Sequence, residues 1–191
     1  MKKYELTEET INIFGKTLHR IRATRNFSNV HAGDLGGFIE DERNLSHDKN
    51  AWVGGNAQIG GNAWVGGYAW VGGYARVGGD AQIGGNARVG GYARVGGYAW
   101  VGGNARVCGN ALVKGPRDIY WISCIGSRDG TTTFFRNANN GISVSCGCFY
   151  GTIDEFAAAV TKTHGDNEHA RAYRHAIEIA KLRIKLKDAE S

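Results

Sequence analysis

The sequence predicts a mainly β protein: a coiled β-solenoid with a β cap before it and a small α+β domain after it. Three observations carry this. A six-residue unit, Ala-x-Val-Gly-Gly-Asn/Tyr, recurs eleven times between Ala51 and Gly115, and a fixed short period marks an architecture of stacked units. Inside each unit apolar and variable residues alternate for three positions before two glycines intervene, which is a very short strand followed by a bend. Of the 30 glycines, 20 fall within the repeat, so their abundance belongs to the repeat and not to disorder. The single proline, Pro116, stands where the period stops.

Ala63-Trp64-Val65 illustrates the unit: Ala63 and Val65 share one face and Trp64 takes the other. A break every six residues excludes a helix of period 3.6. Val or Ile recurs at positions 53, 59, 65, 71, 77, 83, 89, 95, 101, 107 and 113, giving one inward aliphatic side chain per strand. Val65-Gly66-Gly67-Tyr68-Ala69-Trp70 resembles the hexapeptide-repeat proteins at every required position: an aliphatic residue, Gly, two variable residues, a small residue and one more variable residue. In that family three units make one triangular coil. The resemblance implies a left-handed parallel β-helix, an exception to the usual right-handed crossover.

With three units per coil, residues eighteen apart stack, and the outward mid-strand positions sort into three ladders. Trp52, Trp70, Arg88 and Arg106 form the first, Gln58, Arg76, Arg94 and Leu112 the second, and Trp64, Gln82 and Trp100 the third. Corner positions align Phe38, Asn56, Tyr74, Tyr92 and Asn110 on one edge, with Tyr68 and Tyr98 on the other two. A solvated face does not need tryptophan. One use for these residues is packing of coil faces in a homotrimer, where Trp and Arg are typical interface types. The other is a flat aromatic and guanidinium surface that stacks on and neutralises a planar anion, such as a nucleotide or a nucleic-acid strand. Both can hold, because hexapeptide-repeat proteins often bind ligands in the groove between subunits.

The elements follow in order. Residues 1–34 read as an N-terminal β cap. Tyr4 to Leu6 and Ile11 to Phe14 are extended pieces, Gly15-Lys16 is a turn, and Thr17 to Ala23 alternates as a strand. Such a cap shields the open strand edge of the first coil. Leu35-Gly36-Gly37-Phe38-Ile39-Glu40 is a degenerate unit, with Leu35 placed inward eighteen residues before Val53. The irregular stretch 41–50 keeps the phase by setting Leu45 at the inward position that Ala63 holds one coil later. The solenoid then spans 35–115, about four and a half coils and about 20 Å of stacked sheet.

Residues 116–191 lose the period and form the α+β domain. Ile119 to Ile125, Thr131 to Arg136 and Ile142 to Cys146 are three strands of a meander. Thr152-Ile153-Asp154-Glu155 is a capping box opening a helix that ends near His164-Gly165. A second helix runs from about Asn167 to Lys187, with Ala170, Tyr173, Ile177, Ala180 and Ile184 on its apolar stripe. Its basic end, with Lys181, Arg183, Lys185 and Lys187, complements the helix dipole.

Charge narrows the functions. The formal net charge is +5, and the surplus lies on the solenoid, where five Lys or Arg face one acid between Ala51 and Gly115. That favours an anionic partner but is too weak for a dedicated duplex-DNA binder. The start lacks an apolar signal region and no apolar run reaches membrane-spanning length, which points to a soluble, cytoplasmic protein without a membrane partner. Cys146-Gly147-Cys148 alternates on one strand, yet no second Cys or His pair at zinc spacing follows, so neither metal nor cofactor is expected.

Catalysis has little to stand on. Thr163-His164-Gly165-Asp166-Asn167-Glu168-His169 is the tightest polar cluster and could supply a base with its orienting acid. Helix punctuation explains it better: Gly165 closes one helix while Asp166 or Asn167 caps the next. Ligand contact by His164, Asp166 and Asn167 is the remaining use. Hexapeptide-repeat enzymes are mostly acyltransferases whose base is a histidine on or beside the coils. Here no histidine occurs from Ala51 to Gly115, and only His47, in the irregular coil, stands in for it.

The ends of the chain carry a closer likeness. Leu18 to Ala23, Gly33 to Glu40 and Asn44-Leu45-Ser46 resemble the opening of hexapeptide-repeat proteins of phages and prophages. Gly147-Cys148-Phe149 with Thr163 to Asn167 is similar to a C-terminal module seen with them, and the likeness implies a viral setting in the host cytoplasm. The expected function is a non-enzymatic, homotrimeric binding protein that sequesters a small anionic, nucleotide-like ligand, a signal of host defence. Trp52, Trp64, Trp70 and Trp100 would stack on it, and Arg76, Arg88, Arg94 and Arg106 would meet phosphate. A structural or inhibitory oligomer gripping a host protein, and an acyltransferase-like enzyme, are the alternatives.

Overall fold

A computed structural model describes residues 2–13 and 15–186. The chain opens with an antiparallel hairpin of β1 (Tyr4–Ile13) and β2 (Lys16–Ala23), bulged between Leu6 and Thr10. The two extended pieces expected before Gly15 are therefore one strand; Phe14, expected to end the second, lies outside the described residues. β3 (Leu35–Ile39) pairs antiparallel with β2 and parallel with the solenoid.

Eleven two-residue strands follow, one per repeat. β4 (Trp52–Val53), β7 (Trp70–Val71), β10 (Arg88–Val89) and β13 (Arg106–Val107) stack in parallel on the first face. The second face holds β5 (Gln58–Ile59), β8 (Arg76–Val77), β11 (Arg94–Val95) and β14 (Leu112–Val113), continuing the sheet begun by β1, β2 and β3. β6 (Trp64–Val65), β9 (Gln82–Ile83) and β12 (Trp100–Val101) make the third. This is a β-solenoid of about four turns, and the three outward ladders read from the spacing are its three in-register faces.

The repeat chemistry explains the coil. Every inward Ala, Val and Ile of the eleven units is at most 3% exposed, so the interior is a dry column of small and β-branched side chains. Backbone N–H groups reach carbonyls of the next coil, as from Arg88 to Ala105 at 2.9 Å. The second glycine of each turn from Gly55 to Gly109 has φ near +60°, for example +63° at Gly91. A Cβ added there would lie 2.8 Å from the backbone nitrogen of Gly109 in the next coil. Stacked turns thus demand glycine twice over, through backbone angle and through close approach.

The first coil departs from the expected phase. Leu35 is 57% exposed instead of inward, and the pairing runs Phe38 to Gln58 and Ile39 to Ile59, an offset of twenty residues where later coils use eighteen. Phe38 accordingly takes a mid-strand outward position, not a corner one, and lies beneath the Arg20 guanidinium at 4.3 Å. Leu45 pairs with Val65, not at the level of Ala63, and is fully buried. The two extra residues fall within His47-Asp48-Lys49, since Asn50 already bonds Gly67 in the regular offset. A 3-10 turn at Glu42–Asn44 replaces the missing third-face strand.

The last coil is closed by a four-stranded antiparallel sheet, ordered β15 (Ile119–Ile125), β16 (Gly130–Arg136), β17 (Ile142–Cys146) and β18 (Phe149–Thr152). β18 was not expected; Gly147, at φ +58°, folds it back directly onto β17. Cys146 and Cys148 consequently sit on either side of a turn and not on one strand face. Arg106 N–H donates to Thr133 Oγ1 at 3.0 Å and Ala138 N–H to Asn110 O at 2.9 Å, filling the edge a further coil would fill. α1 (Ile153–His164) begins at the Thr152 capping box, and α2 (Glu168–Arg183) is capped by Asn167. α2 ends before Lys185, so the helix is shorter than the stripe implied, and Lys187 lies outside the described residues. Phe134, Phe156, Tyr173 and Ile177 centre a second core between this sheet and the helices.

Candidate ligand-binding clefts

Of the outward residues on the first face, Trp52 is closed off. It is 2% exposed, with Phe27 edge-on at 5.5 Å and Gly36 so near that a Cβ there would lie 2.7 Å from the indole. The loop after β2 folds over it, so Trp52 is a core residue of the cap and not a stacking platform.

Further along that face, Trp70, Arg88 and Arg106 come together with a wall from the C-terminal sheet. They line a cleft of about 390 Å³ with Cys108 on the solenoid side and Cys148, Phe149 and Tyr150 opposite. Arg88 and Arg106 occupy adjacent, in-register strands, which sets them about 4.8 Å apart along the stack. Arg106 Nη1 donates to Gly147 O at 3.4 Å, tying the ladder to the turn that carries Cys148. Burial pushes the Cys108 thiol above its ordinary value, against a weaker opposing hydrogen bond with Ser145.

The second face carries a larger groove, about 840 Å³, along the ladder of Gln58, Arg76, Arg94 and Leu112. Ile13, Lys16 and Leu18 at the hairpin tip form one end wall and Lys114 stands at the other. Lys16 is neutralised by Glu40 at 2.9 Å, and the N–H of Gly61, together with Lys16, holds the Glu40 carboxyl below its usual range. Among the described residues, the positive charge of the groove that forms no ion pair is that of Arg76, Arg94 and Lys114. The only acid of the regular repeats, Asp80, sits on a different corner and accepts from Asn62 at 2.9 Å.

The third face is different in kind. Trp64 and Trp100 are 41% and 57% exposed, flank the neutral Gln82, and line neither cleft. Each indole lies across the first glycine of its own turn: a Cβ on Gly66 would fall 2.1 Å from Trp64 and one on Gly102 2.7 Å from Trp100. Trp100 also meets Trp121 of the C-terminal sheet edge-on at 5.4 Å.

The interhelical cluster is used structurally. Asn167 Oδ1 accepts from Ala170 N–H at 3.0 Å as the α2 cap, and the Arg174 guanidinium beside Asp166 holds that carboxyl below its usual range. His164 packs between His169 and Tyr173, each 5.8 Å away. None of the three lines either cleft. His47 stacks on Tyr4 at 4.3 Å and accepts from Lys3 N–H at 3.3 Å; burial lowers its basicity. It is a piece of the cap.

Sequence reasoning missed Lys114, Cys108, Phe149 and Tyr150. The first two had a signal. They stand where the other repeats place the first glycine of the turn, and each projects into one of the clefts. Phe149 and Tyr150 arrive through the unexpected β18 and carried none.

The chain is similar to the YdcK β-solenoid repeat, whose family model matches residues 57–73 and 81–97, both inside the solenoid. A search of curated proteins finds no match. No helix among the described residues is long and apolar enough to cross a membrane.

Proposed function

We propose that this protein binds and sequesters a small, planar, nucleotide-like anion in the cleft between the solenoid and the C-terminal sheet, without transforming it. The observation that carries this is the lining: two stacked arginines, aromatic rings on both walls, and no His, Asp or Glu. Like charges facing each other on neighbouring strands cost up to about 1 kcal/mol. An anion bridging Arg88 and Arg106 converts that repulsion into charge-assisted hydrogen bonds. Trp70 on one side, with Phe149 and Tyr150 on the other, offers stacking surface for a base. General acid–base chemistry needs a titrating group within reach of the ligand, and among the described residues the lining offers for it only the Tyr150 phenol and the thiols of Cys108 and Cys148, of which burial holds Cys108 in its unreactive protonated form.

The uncharged third face supports a homotrimer as part of this reading. Exposed Trp64 and Trp100 around Gln82 are the composition of an interface core, poor in charge and rich in aromatics. The resemblance of the chain's ends to phage and prophage hexapeptide-repeat proteins supports a counter-defence role in the host cytoplasm, with a nucleotide signal as the cargo.

Native mass spectrometry of the protein incubated with mixed nucleoside mono- and triphosphates tests both parts. The expected result is a trimer carrying one nucleotide mass per cleft. Arg88→Gln with Arg106→Gln should empty the cleft and leave the trimer, whereas Trp100→Ala should weaken the trimer and spare the cargo. A clean oligomer that takes up no nucleotide at any concentration would overturn the sequestration reading and leave a host protein as the partner.

A further inference from the structure

The two clefts are neighbours around one corner of the solenoid. Gly72 and Gly73 line the first and Arg76 lines the second, so only Tyr74 and Ala75 intervene. The corner is crowned by Tyr74 and Tyr92, stacked at 5.3 Å with 7° between their planes, and the two residues are 55% and 68% exposed. Asn56 and Asn110 hold the same corner position one coil before and one coil after. These shorter side chains leave the outer faces of the tyrosine pair uncovered by another ring. Around this corner, positive charge, exposed aromatic surface and positive charge follow one another: Arg88 and Arg106, then the tyrosines, then Arg76 and Arg94. Arg88 and Arg94 are six residues apart in the chain, so the step between them cannot exceed about 20 Å.

We infer that this band accepts a short single-stranded oligonucleotide, running from the Trp70 cleft over the Tyr74–Tyr92 corner into the Arg76–Arg94 groove. The inference rests on the nucleotide reading above and extends its ligand from one nucleotide to several. Sequence-tolerant single-strand binding combines a basic track for the backbone with aromatic faces for successive bases, and the band presents both in alternation. The step from Arg88 to Arg94, at most about 20 Å, is bridged by about six phosphates at the 3.4 Å spacing of a stacked strand. Duplex DNA does not fit the same pattern, because its bases are not free to stack on the corner.

The test is fluorescence anisotropy of the full chain with labelled thymidine oligonucleotides of one, two, four and six residues, at two salt concentrations. The hexamer should bind at least tenfold tighter than the mononucleotide. Tyr74→Asn with Tyr92→Asn, which places at this corner the residue its neighbouring coils already carry, should weaken the hexamer about tenfold and leave the mononucleotide unchanged. Arg76→Gln with Arg94→Gln should weaken the hexamer and flatten its salt dependence. Equal affinity for one and six residues would overturn the inference while leaving the cleft reading standing. Failure of both ligands to bind would end both. Equally tight binding of a polyglutamate chain of matched charge would overturn the inference in favour of an acidic protein partner.

Discussion

Asn44 is the residue on which the first coil depends, and its removal has a calculable effect. It is fully buried. Its side-chain oxygen accepts from Glu40 N–H at 3.1 Å and Asp41 N–H at 3.0 Å, while its amide nitrogen donates to Gly61 O at 3.0 Å and Ala63 O at 2.8 Å. In later coils carbonyls such as Ala81 O are met by a backbone N–H of the preceding coil, here that of Trp64. At this level no third-face strand precedes Ala63, and the Asn44 amide does that work. Asn44→Ala deletes four hydrogen bonds at about 1 kcal/mol each. Some of the orphaned groups will find water, so the expected loss is about 3–4 kcal/mol. For a chain of this size that lowers the melting temperature by roughly 6–16 °C. Guanidinium unfolding followed by circular dichroism reads the free energy. Asn44→Asp is the sharper control, because a carboxylate keeps the two acceptor bonds but turns negative oxygen toward two carbonyls, and it should be at least as damaging. If either variant unfolds within about 0.5 kcal/mol of the parent, the surface-mutation range, the strand-replacement account is wrong.

Two further outcomes follow from the same geometry. Gly90 and Gly91 are adjacent, yet a Cβ on Gly90 meets nothing within 4 Å while one on Gly91 meets Gly109 backbone at 2.8 Å, at φ +63°. Gly90→Ala should be neutral or stabilising by a few tenths of a kcal/mol, and Gly91→Ala should cost more than about 2 kcal/mol through strain and clash together, both read by thermal melts. Lys3, fully buried with Nζ donating to Ala51 O at 2.7 Å, has its pKa pushed down to about 8 by desolvation and then by Arg25. Between about 8 and the ordinary 10.5 the unfolded chain binds a proton that the folded one has released, so stability rises with pH across that window. Cys108, whose thiol burial pushes upward, opposes the rise from about pH 8.5, and Tyr4, whose ionisation burial also pushes upward, opposes it from about pH 10. Melts from pH 7.5 to 10 should show the rise, and Lys3→Met should abolish it; an unchanged slope in the variant would assign the effect elsewhere.

Wherever one residue's environment repeats, the sequence reveals it. Eleven copies of one unit specify which side chain faces in, which turns need glycine and which outward residues stack, because each coil is the boundary condition of the next. Legibility fails where that condition lapses. Leu35 was placed by extending the eighteen-residue period into a coil that holds two extra residues, and nothing local to Leu35 marks the insertion at His47-Asp48-Lys49. Trp52 looked like its stacking partner Trp70, but the loop bearing Phe27 covers one and not the other, a contact set by a chain reversal far from either. Half of the Trp70 cleft was equally hidden, since Phe149 and Tyr150 reach it only after β17 and β18 dock on the last coil.

The sequence does hold one kind of information about the clefts that periodicity first conceals. In a near-perfect repeat, uniform positions serve the coil and can report only on the coil. Departures are tolerated where a neighbouring coil does not veto them. The first glycine of each turn is such a place: at Gly78, Gly90 and Gly96 an added Cβ meets little or nothing, so glycine there is permitted more than required. Where a Trp precedes it the indole lies over it and enforces glycine, as at Gly66. Cys108 and Lys114 are the substitutions at this lenient position, one projecting into the first cleft and the other into the second. A side chain placed there changes the cleft without disturbing the coil, so the first-glycine positions at 78, 90 and 96 are where the ligand preference of this solenoid can be altered at least cost to its fold.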